Sequence, residues 1–253
     1  MSDQEKTPTA APVPAGARKR FWKQASVVPE QDGFAVQLDG RPVRLPERTA
    51  LSVPSRALAE ALAAEWQAAG LTVGGYFRPE DLPLTRIAGS MLERVPGARA
   101  GVIDSLLAYA SSDLLCYREA GNSRLARRQR ELWGPWLDWC QDTFGMELRT
   151  TEGVMPITQP DATLHTLRAL LESLSDAELA ALGVAVPALG SLYLGLALVK
   201  GQGTPEELLA CATLDESEQM ARWGEDTDVT DRIASRLRDV ADAALFLDFL
   251  RKP

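Results

Sequence analysis

The residues best suited to acid–base or nucleophilic chemistry are few and widely separated in this chain. His165 is the single histidine, and the three cysteines, Cys116, Cys140 and Cys211, form no CxxC pair. One histidine cannot build a zinc site of the usual kinds, although it could act as a general base or activate a cysteine. The sequence contains no GxxxxGK(S/T) phosphate loop, no GxGxxG fingerprint and no complete GxSxG elbow. We therefore predict no catalytic residue, no cofactor and no metal. Because carboxylates are abundant, a carboxylate-dependent hydrolase of unknown substrate is kept as an alternative.

The densest charge lies in residues 206–231, which hold nine acids and one base, Arg222. The local excess of eight negative charges equals the formal net charge of the whole chain, −8. Such a concentration creates a directional field that can steer a partner towards this segment. The residues that we predict to bind a partner are Asp215, Glu216, Gln219, Trp223, Glu225, Asp226 and Asp228. The alternative is that these acids only cap helices and keep the surface hydrated.

A second stretch, residues 117–139, combines arginines with tryptophans. Its members are Arg118, Arg124, Arg127, Arg128, Arg130, Trp133, Trp136 and Trp139. Stretches of this kind can form an RNA-binding platform or a protein-binding hot spot. The simpler interpretation places Trp136 in the core, on one stripe with Leu132 and Cys140, and the arginines on a hydrated helix face. RNA binding is therefore a second alternative, which would require the arginines to form one open basic face.

The amino-acid composition indicates the general class of this protein. Apolar residues make up 45% and charged residues 25% of the chain, as in ordinary soluble globular proteins. The acidic excess argues against a broad nucleic-acid footprint. The N-terminal residues include Asp3 and Glu5 and lack the apolar core of a secretory signal, and no apolar run reaches the ~18 residues of a membrane span. Isolated cysteines are typical of reduced thiols. We predict a monomer of the bacterial cytoplasm that neither binds nucleic acid nor enters a membrane.

Strand signals come first along the chain. Residues 1–19 are rich in Ala, Pro, Thr and charge, which predicts a disordered tail. Phe34, Val36 and Leu38 alternate with other residues at period two, and the Asp39-Gly40 turn signal follows at once. The spacing of Leu58, Leu62 and Trp66 predicts one amphipathic helix. Residues 20–85 are therefore predicted to form a β-rich N-terminal domain with one helix.

Helical spacing dominates residues 86–253. Capping-box sequences begin at Ser175 and Thr204. Residues 187–200 are apolar nearly all round, which predicts one central, buried helix, and a final helix is expected at about 229–250. Because strands precede helices, we predict the α+β class, with a small N-terminal antiparallel β domain followed by a larger all-helical C-terminal domain.

Short motifs between residue 20 and about residue 250 carry a resemblance to a known family. They are Arg20-Phe21-Trp22-Lys23, Leu38-Asp39-Gly40-Arg41-Pro42-Val43, Leu82-Pro83-Leu84-Thr85-Arg86, Ser112-Asp113-Leu114-Leu115-Cys116-Tyr117-Arg118, Gly190-Ser191 and Trp223-Gly224-Glu225-Asp226. In order and spacing this set resembles the assembly chaperones of the ATP synthase alpha subunit, the Atp-twelve family. The family usually has a glutamate two residues after the last motif, where this chain has Asp228.

The resemblance implies a fold and an activity. The fold would be an N-terminal β region followed by a helical domain. The protein would bind the free alpha subunit of the F-type ATP synthase, prevent its aggregation until the beta subunit replaces the chaperone, and hydrolyse no nucleotide. We expect the acidic segment to present carboxylates to basic residues of the alpha subunit, since complementary charge speeds capture.

Overall fold

Short antiparallel strands open the chain. The computed structural model describes residues 15–153 and 155–252. The N-terminal strands are β1 (Arg18–Lys19), β2 (Ala25–Glu30), β3 (Gly33–Leu38), β4 (Arg41–Pro42), β5 (Ser52–Val53) and β6 (Tyr76–Phe77). β3 pairs with β2, β4 and β5 in a four-stranded antiparallel sheet. Asp39 and Gly40 join β3 to β4 with φ of 48° and 77°, the left-handed region that tight hairpin turns require.

The strand β1 corrects the predicted extent of the disordered tail. Residues 1–14 of that tail lie outside the described residues. Arg18 and Lys19, however, pair antiparallel with Phe77 and Tyr76 of β6. The prediction therefore extended the tail too far, because the partner strand lies far along the chain, where local composition gives no information about pairing.

One helix connects this sheet to the rest of the protein, as the spacing of Leu58, Leu62 and Trp66 predicts. It is α1 (Arg56–Ala68), which is capped by the Ser55 hydroxyl. The Glu65 carboxylate accepts hydrogen bonds from the backbone N–H groups of Leu84 and Thr85 at 2.7 and 2.9 Å, at the start of α2 (Pro83–Gly89). Burial raises the pKa of Glu65. The Glu65 side chain of α1 thus provides acceptors for the free backbone N–H groups at the N-terminus of α2.

Helices account for most of the chain after residue 83. A π-helical turn at Ser90–Arg94 joins α2 to the third helix, which bends at Ala98. The later helices are α3 (Val95–Ala110), α4 (Arg124–Phe144), α5 (Asp161–Ser173), α6 (Asp176–Leu189), α7 (Leu192–Val199), α8 (Pro205–Ala212), α9 (Leu214–Trp223) and α10 (Thr227–Arg251). A two-residue parallel pair, β7 (Tyr117–Arg118) with β8 (Thr151–Glu152), lies among them. Both predicted capping boxes are present, at Ser175–Glu178 and Thr204–Glu207.

The single buried helix predicted at residues 187–200 is wrong. The apolar run contains the end of α6 and all of α7, and the two helices are separated at Gly190 and Ser191. Gly190 ends α6 with φ 65°, a conformation that glycine adopts without strain, and Ser191 caps α7. Every residue of α7 is buried, so the predicted central position is confirmed.

One cluster of buried apolar side chains runs through both parts of the chain, from Trp22 to Leu247. The α+β class, with strands first and helices afterwards, is confirmed. The domain boundary near residue 85 stays a prediction. Among the described residues, none of the helices has the length and apolar character needed to cross a membrane.

Asp113 is a buried carboxylate at the break between α6 and α7. It is 0% exposed and accepts hydrogen bonds from the backbone N–H groups of Leu192 at 2.7 Å and Leu115 at 3.2 Å. Burial raises its pKa from 3.8 to about 7, because the charged form loses its hydration, and these hydrogen bonds limit the rise.

We expect Asp113 to make stability fall as pH rises from about 4 to about 7. In that range the folded protein holds a proton that the unfolded chain has already released, so unfolding becomes easier by up to about 1.4 kcal/mol per pH unit. Above about pH 7 this contribution is constant.

Asp113→Asn should remove this pH dependence of stability. The variant should also be less stable than the wild type at pH 5, because its amide N–H₂ faces backbone N–H donors. Urea unfolding at several pH values measures both effects. Asp32→Asn, in an exposed turn, is the control, and parallel profiles for wild type and Asp113→Asn would contradict the expectation.

Candidate functional site

The acidic segment forms a sharp turn between two helices, which we call the acidic elbow (residues 223–228). Gly224, with φ 100°, ends α9 directly after Trp223. The Asp226 carboxylate then accepts hydrogen bonds from the backbone N–H groups of Asp228 at 2.9 Å and Val229 at 3.4 Å, which caps α10. This cap fixes where α10 begins.

The predicted partner-binding residues fall into an exposed group and a half-buried group. The exposed group consists of Gln219, Trp223, Glu225, Asp226 and Asp228. Trp223 is 77% exposed, which is unusual for the largest apolar side chain. The Arg222 guanidinium lies 4.9 Å from the centre of the Trp223 ring and shields only part of it. An exposed tryptophan beside carboxylates is a typical anchor for a protein partner.

Asp215 and Glu216 form the half-buried group, and their carboxylates are engaged within the protein. Gln129 of α4 donates a hydrogen bond to Asp215 at 2.9 Å. Burial raises the pKa of Asp215, and the bond from Gln129 opposes that rise. Arg236 of α10 pairs with Glu216 at 3.1 Å and also donates to the carbonyl of Ala188 at 2.6 Å. We therefore assign these two residues to holding α9 in place.

Glu218 is a positioning residue that the sequence analysis missed. Its carboxylate pairs with Arg128 and, at 3.2 Å, with Arg124, so two arginines one turn apart on α4 converge on one acid of α9. The spacing of the arginines was a usable signal, because residues four apart lie on the same helix face. The sequence does not indicate which of the neighbouring acids faces them.

These contacts bear on the RNA alternative. Arg127 and Arg130 donate to backbone carbonyls of Asn122 and Gly121, while Arg124 and Arg128 pair with Glu218. Arg118 is half-buried on β7. Arg124, Arg127 and Arg130 stay exposed, but Glu218 pairs with two of the five arginines and partly neutralises the charge of this helix face. The contacts therefore do not favour the open basic face that RNA binding would require.

Trp133, rather than Trp136, is the fully buried tryptophan of α4. It is 2% exposed, and its indole N–H donates to the carbonyl of Cys211 at 3.0 Å. Trp136 is half-buried and donates to the Cys211 sulfur at 3.2 Å. The buried stripe of α4 also contains the polar Gln129. The predicted stripe is therefore incomplete: Cys140 is buried, and Leu132 and Trp136 pack half-buried against the core. Trp133 was not predicted to be buried, because the buried Gln129 breaks the apolar pattern on its side of the helix.

The residues considered for catalysis do not form a reactive pair. All three cysteines are buried, and burial raises the pKa of the Cys116 and Cys140 thiols to about 12, so they stay protonated at neutral pH. His165 is exposed on α5. Among residues 15–153 and 155–252, no group of three or more His, Cys, Asp or Glu side chains could hold a metal ion.

Several known proteins are similar to this chain in sequence and in fold. The family model described as ATP12 chaperone protein matches residues 19–141. Atp12 from Paracoccus denitrificans is 39% identical, with a TM-score of 0.84 over 92% of this chain and 98% of that one. The Atu1473 protein of Agrobacterium tumefaciens is 36% identical, with a TM-score of 0.85 over 93% of this chain and 87% of that one. The mitochondrial protein atp12 of Schizosaccharomyces pombe is 25% identical over 229 residues, which cover 86% of this chain and 78% of that protein.

The agreement with the Paracoccus protein extends over nearly the whole of both chains, in sequence and in three dimensions. It confirms the resemblance that the short motifs indicated. The chain belongs to the ATP12 chaperone family.

Proposed function

We propose that this chaperone binds the free alpha subunit of the F-type ATP synthase in the bacterial cytoplasm, prevents its aggregation and passes it to the beta subunit without hydrolysing nucleotide. The observation that carries the proposal is the nearly full-length match, in sequence and fold, to Atp12 of Paracoccus denitrificans. The exposed tryptophan of the acidic elbow supports it, because it gives the chaperone an anchor suited to a protein client.

In this proposal the chaperone covers an exposed surface of the alpha subunit without using energy from nucleotide hydrolysis. A free alpha subunit exposes surface that is buried between subunits in the assembled enzyme, and exposed apolar patches promote aggregation. A chaperone that binds this surface keeps the subunit dispersed by mass action. Release then follows when the beta subunit, or the assembled ring, binds the alpha subunit more tightly.

The acidic elbow supplies two kinds of contact in this proposal. Trp223 can be buried in a pocket of the client, where one aromatic anchor can provide much of the binding energy. Glu225 and Asp228 are exposed, and within the described part of the chain neither pairs with a cation. Their carboxylates can attract basic residues of the alpha subunit and raise the association rate. Asp226 is different, since its carboxylate caps α10.

The first test is binding and protection of the purified alpha subunit. We expect the two proteins to co-elute in gel filtration and the chaperone, at equimolar amount, to suppress light scattering when the alpha subunit is warmed alone. The beta subunit should displace the chaperone. An alpha subunit that neither binds nor is protected would refute the proposal.

The second test removes the elbow contacts without removing the α10 cap. Trp223→Ala should weaken binding of the alpha subunit by about tenfold or more, the typical loss for a buried aromatic anchor. The pair Glu225→Lys and Asp228→Lys should slow association at low salt, and the difference from wild type should shrink as salt screens the charges.

The control for the charge reversal is the pair Glu131→Lys and Asp142→Lys, two exposed acids of α4 that give the same change in net charge. Binding kinetics by surface plasmon resonance separate the two rates. If the control pair slows association as much as the elbow pair, the effect comes from net charge and not from the elbow. Unchanged binding in all variants would show that the elbow is only a hydrated surface.

A further inference from the structure

A groove of about 660 Å³ lies where the N-terminal sheet region meets the helices. Apolar and aromatic side chains from four elements line it, among them Trp66 of α1, Phe77 of β6, Tyr109 of α3 and Val184 of α6. Its volume is within the ~300–1,000 Å³ range of pockets that bury a ligand. The groove is therefore large enough to hold several side chains of another polypeptide.

One end of the groove is an aromatic cluster. The Trp66 ring lies 5.2 Å from that of Trp22 and 5.9 Å from that of Phe77, both edge to face. The buried indole N–H of Trp66 has no hydrogen-bond acceptor among the described residues. Edge-to-face packing holds the rings in place, so this end offers a preformed apolar wall.

The α6 wall of the groove contains a glycine and a proline where a helix ordinarily has larger or better helix-forming residues. Apart from the adjoining residues and backbone of α6 itself, a side-chain carbon added at Gly183 would meet no described atom within 4 Å. Pro187, four residues later, has no N–H, so the carbonyl of Gly183 lacks the donor that a helix ordinarily supplies at that spacing. Gly183 and Pro187 both line the groove. This wall thus combines open space with a carbonyl that lacks its ordinary helical donor.

The rim of the groove is cationic in a protein that is acidic overall. Four arginines, Arg18, Arg44, Arg86 and Arg94, stand against two glutamates, Glu47 and Glu93, while the whole chain carries a net charge of −8. The Glu93 carboxylate already accepts hydrogen bonds from the backbone N–H groups of Glu47 and Thr49, at 3.1 and 3.2 Å. The field at the rim therefore favours an acidic ligand.

We propose that this groove receives a short apolar segment of the client polypeptide that carries an aspartate or glutamate beside its apolar residues. The inference rests on the proposed function and adds to it a second contact. The acidic elbow suits a basic surface of the client, and the groove suits an apolar segment with acidic residues. Two contacts of opposite charge fix the orientation in which the client is held.

The first test fills the groove. Gly183→Trp places a large side chain in the open space at the α6 wall and should weaken binding of the purified alpha subunit by about tenfold or more. Gly134→Trp is the matched control: it also adds a side chain to a helix, α4, at a position where no described atom of another element lies within 4 Å, and no residue of α4 lines the groove. Thermal unfolding checks that both variants fold. Equal, near wild-type binding by the two variants would overturn the proposal.

The second test changes the charge of the rim without adding bulk. Arg94→Glu should weaken binding several-fold at low salt, and the loss should shrink at high salt. Arg41→Glu, an exposed arginine of β4 that does not line the groove, is the control. Tighter binding by Arg94→Glu than by the wild type would show that the segment in the groove is basic, which contradicts the proposal.

The third test identifies the occupant directly. A photo-crosslinking amino acid, p-benzoylphenylalanine, placed at Ser105 in the groove should crosslink to the alpha subunit, and the same label at Ser173, outside the groove, should not. Mass spectrometry should locate the crosslink in an apolar segment that contains an acidic residue. Crosslinks from Ser105 only to a second copy of this chain, or to its own residues 1–14, would overturn the proposal.

The failures of the two proposals are distinguishable. If the wild-type protein does not bind the alpha subunit, the proposed function fails, and the groove inference, which rests on it, fails as well. If the wild type binds and the groove variants bind equally well, the proposed function stands and only the groove inference fails.

Discussion

The helical part of this protein depends on one buried carboxylate. α7 is buried along its whole length, so its first backbone N–H groups cannot reach water and need an acceptor from the protein. Asp113 provides that acceptor for Leu192 and Tyr193, and it also bonds the N–H of Leu115 in the turn that follows α3. Because a buried N–H group left without a partner costs about 1–3 kcal/mol, this side chain connects the stability of three segments.

A buried guanidinium has the corresponding role in the N-terminal part. Arg20 is 3% exposed and donates hydrogen bonds to five backbone carbonyls, those of Trp22, Lys23, Gln67, Ala69 and Leu71. The carbonyls of Trp22 and Lys23 lie between β1 and β2, and the other three flank the end of α1. One cation thus ties the first strands to the end of this helix. The core therefore contains two buried ionisable side chains, Asp113 and Arg20, and both bond to backbone groups.

The two surfaces proposed for recognition, the acidic elbow and the groove, differ in charge. The acidic elbow is held by polar contacts at its base, where α4 and α10 engage Asp215, Glu216 and Glu218, while Trp223 and Glu225 stay exposed. The groove is held by aromatic packing and has a cationic rim. In the proposed function the chaperone binds its client firmly and still releases it, and two separate contacts would allow a competitor to displace them one after the other.

Features that depend only on neighbouring residues can be predicted from the amino-acid sequence. Alternation at Phe34, Val36 and Leu38, the capping boxes at Ser175 and Thr204, and the charge of residues 206–231 are local, so the strand, the starts of α6 and α8, and the acidic segment were predictable. The tertiary structure alone decided the pairing of β1 with β6, the break at Gly190 held by Asp113, and which acids stay free. Glu218 and Glu225 are equivalent in the sequence, yet only Glu218 meets arginines of α4. Such differences arise when residues distant in sequence meet, since the environment of a carboxylate, more than its own identity, decides whether it holds the fold or is free to meet a partner.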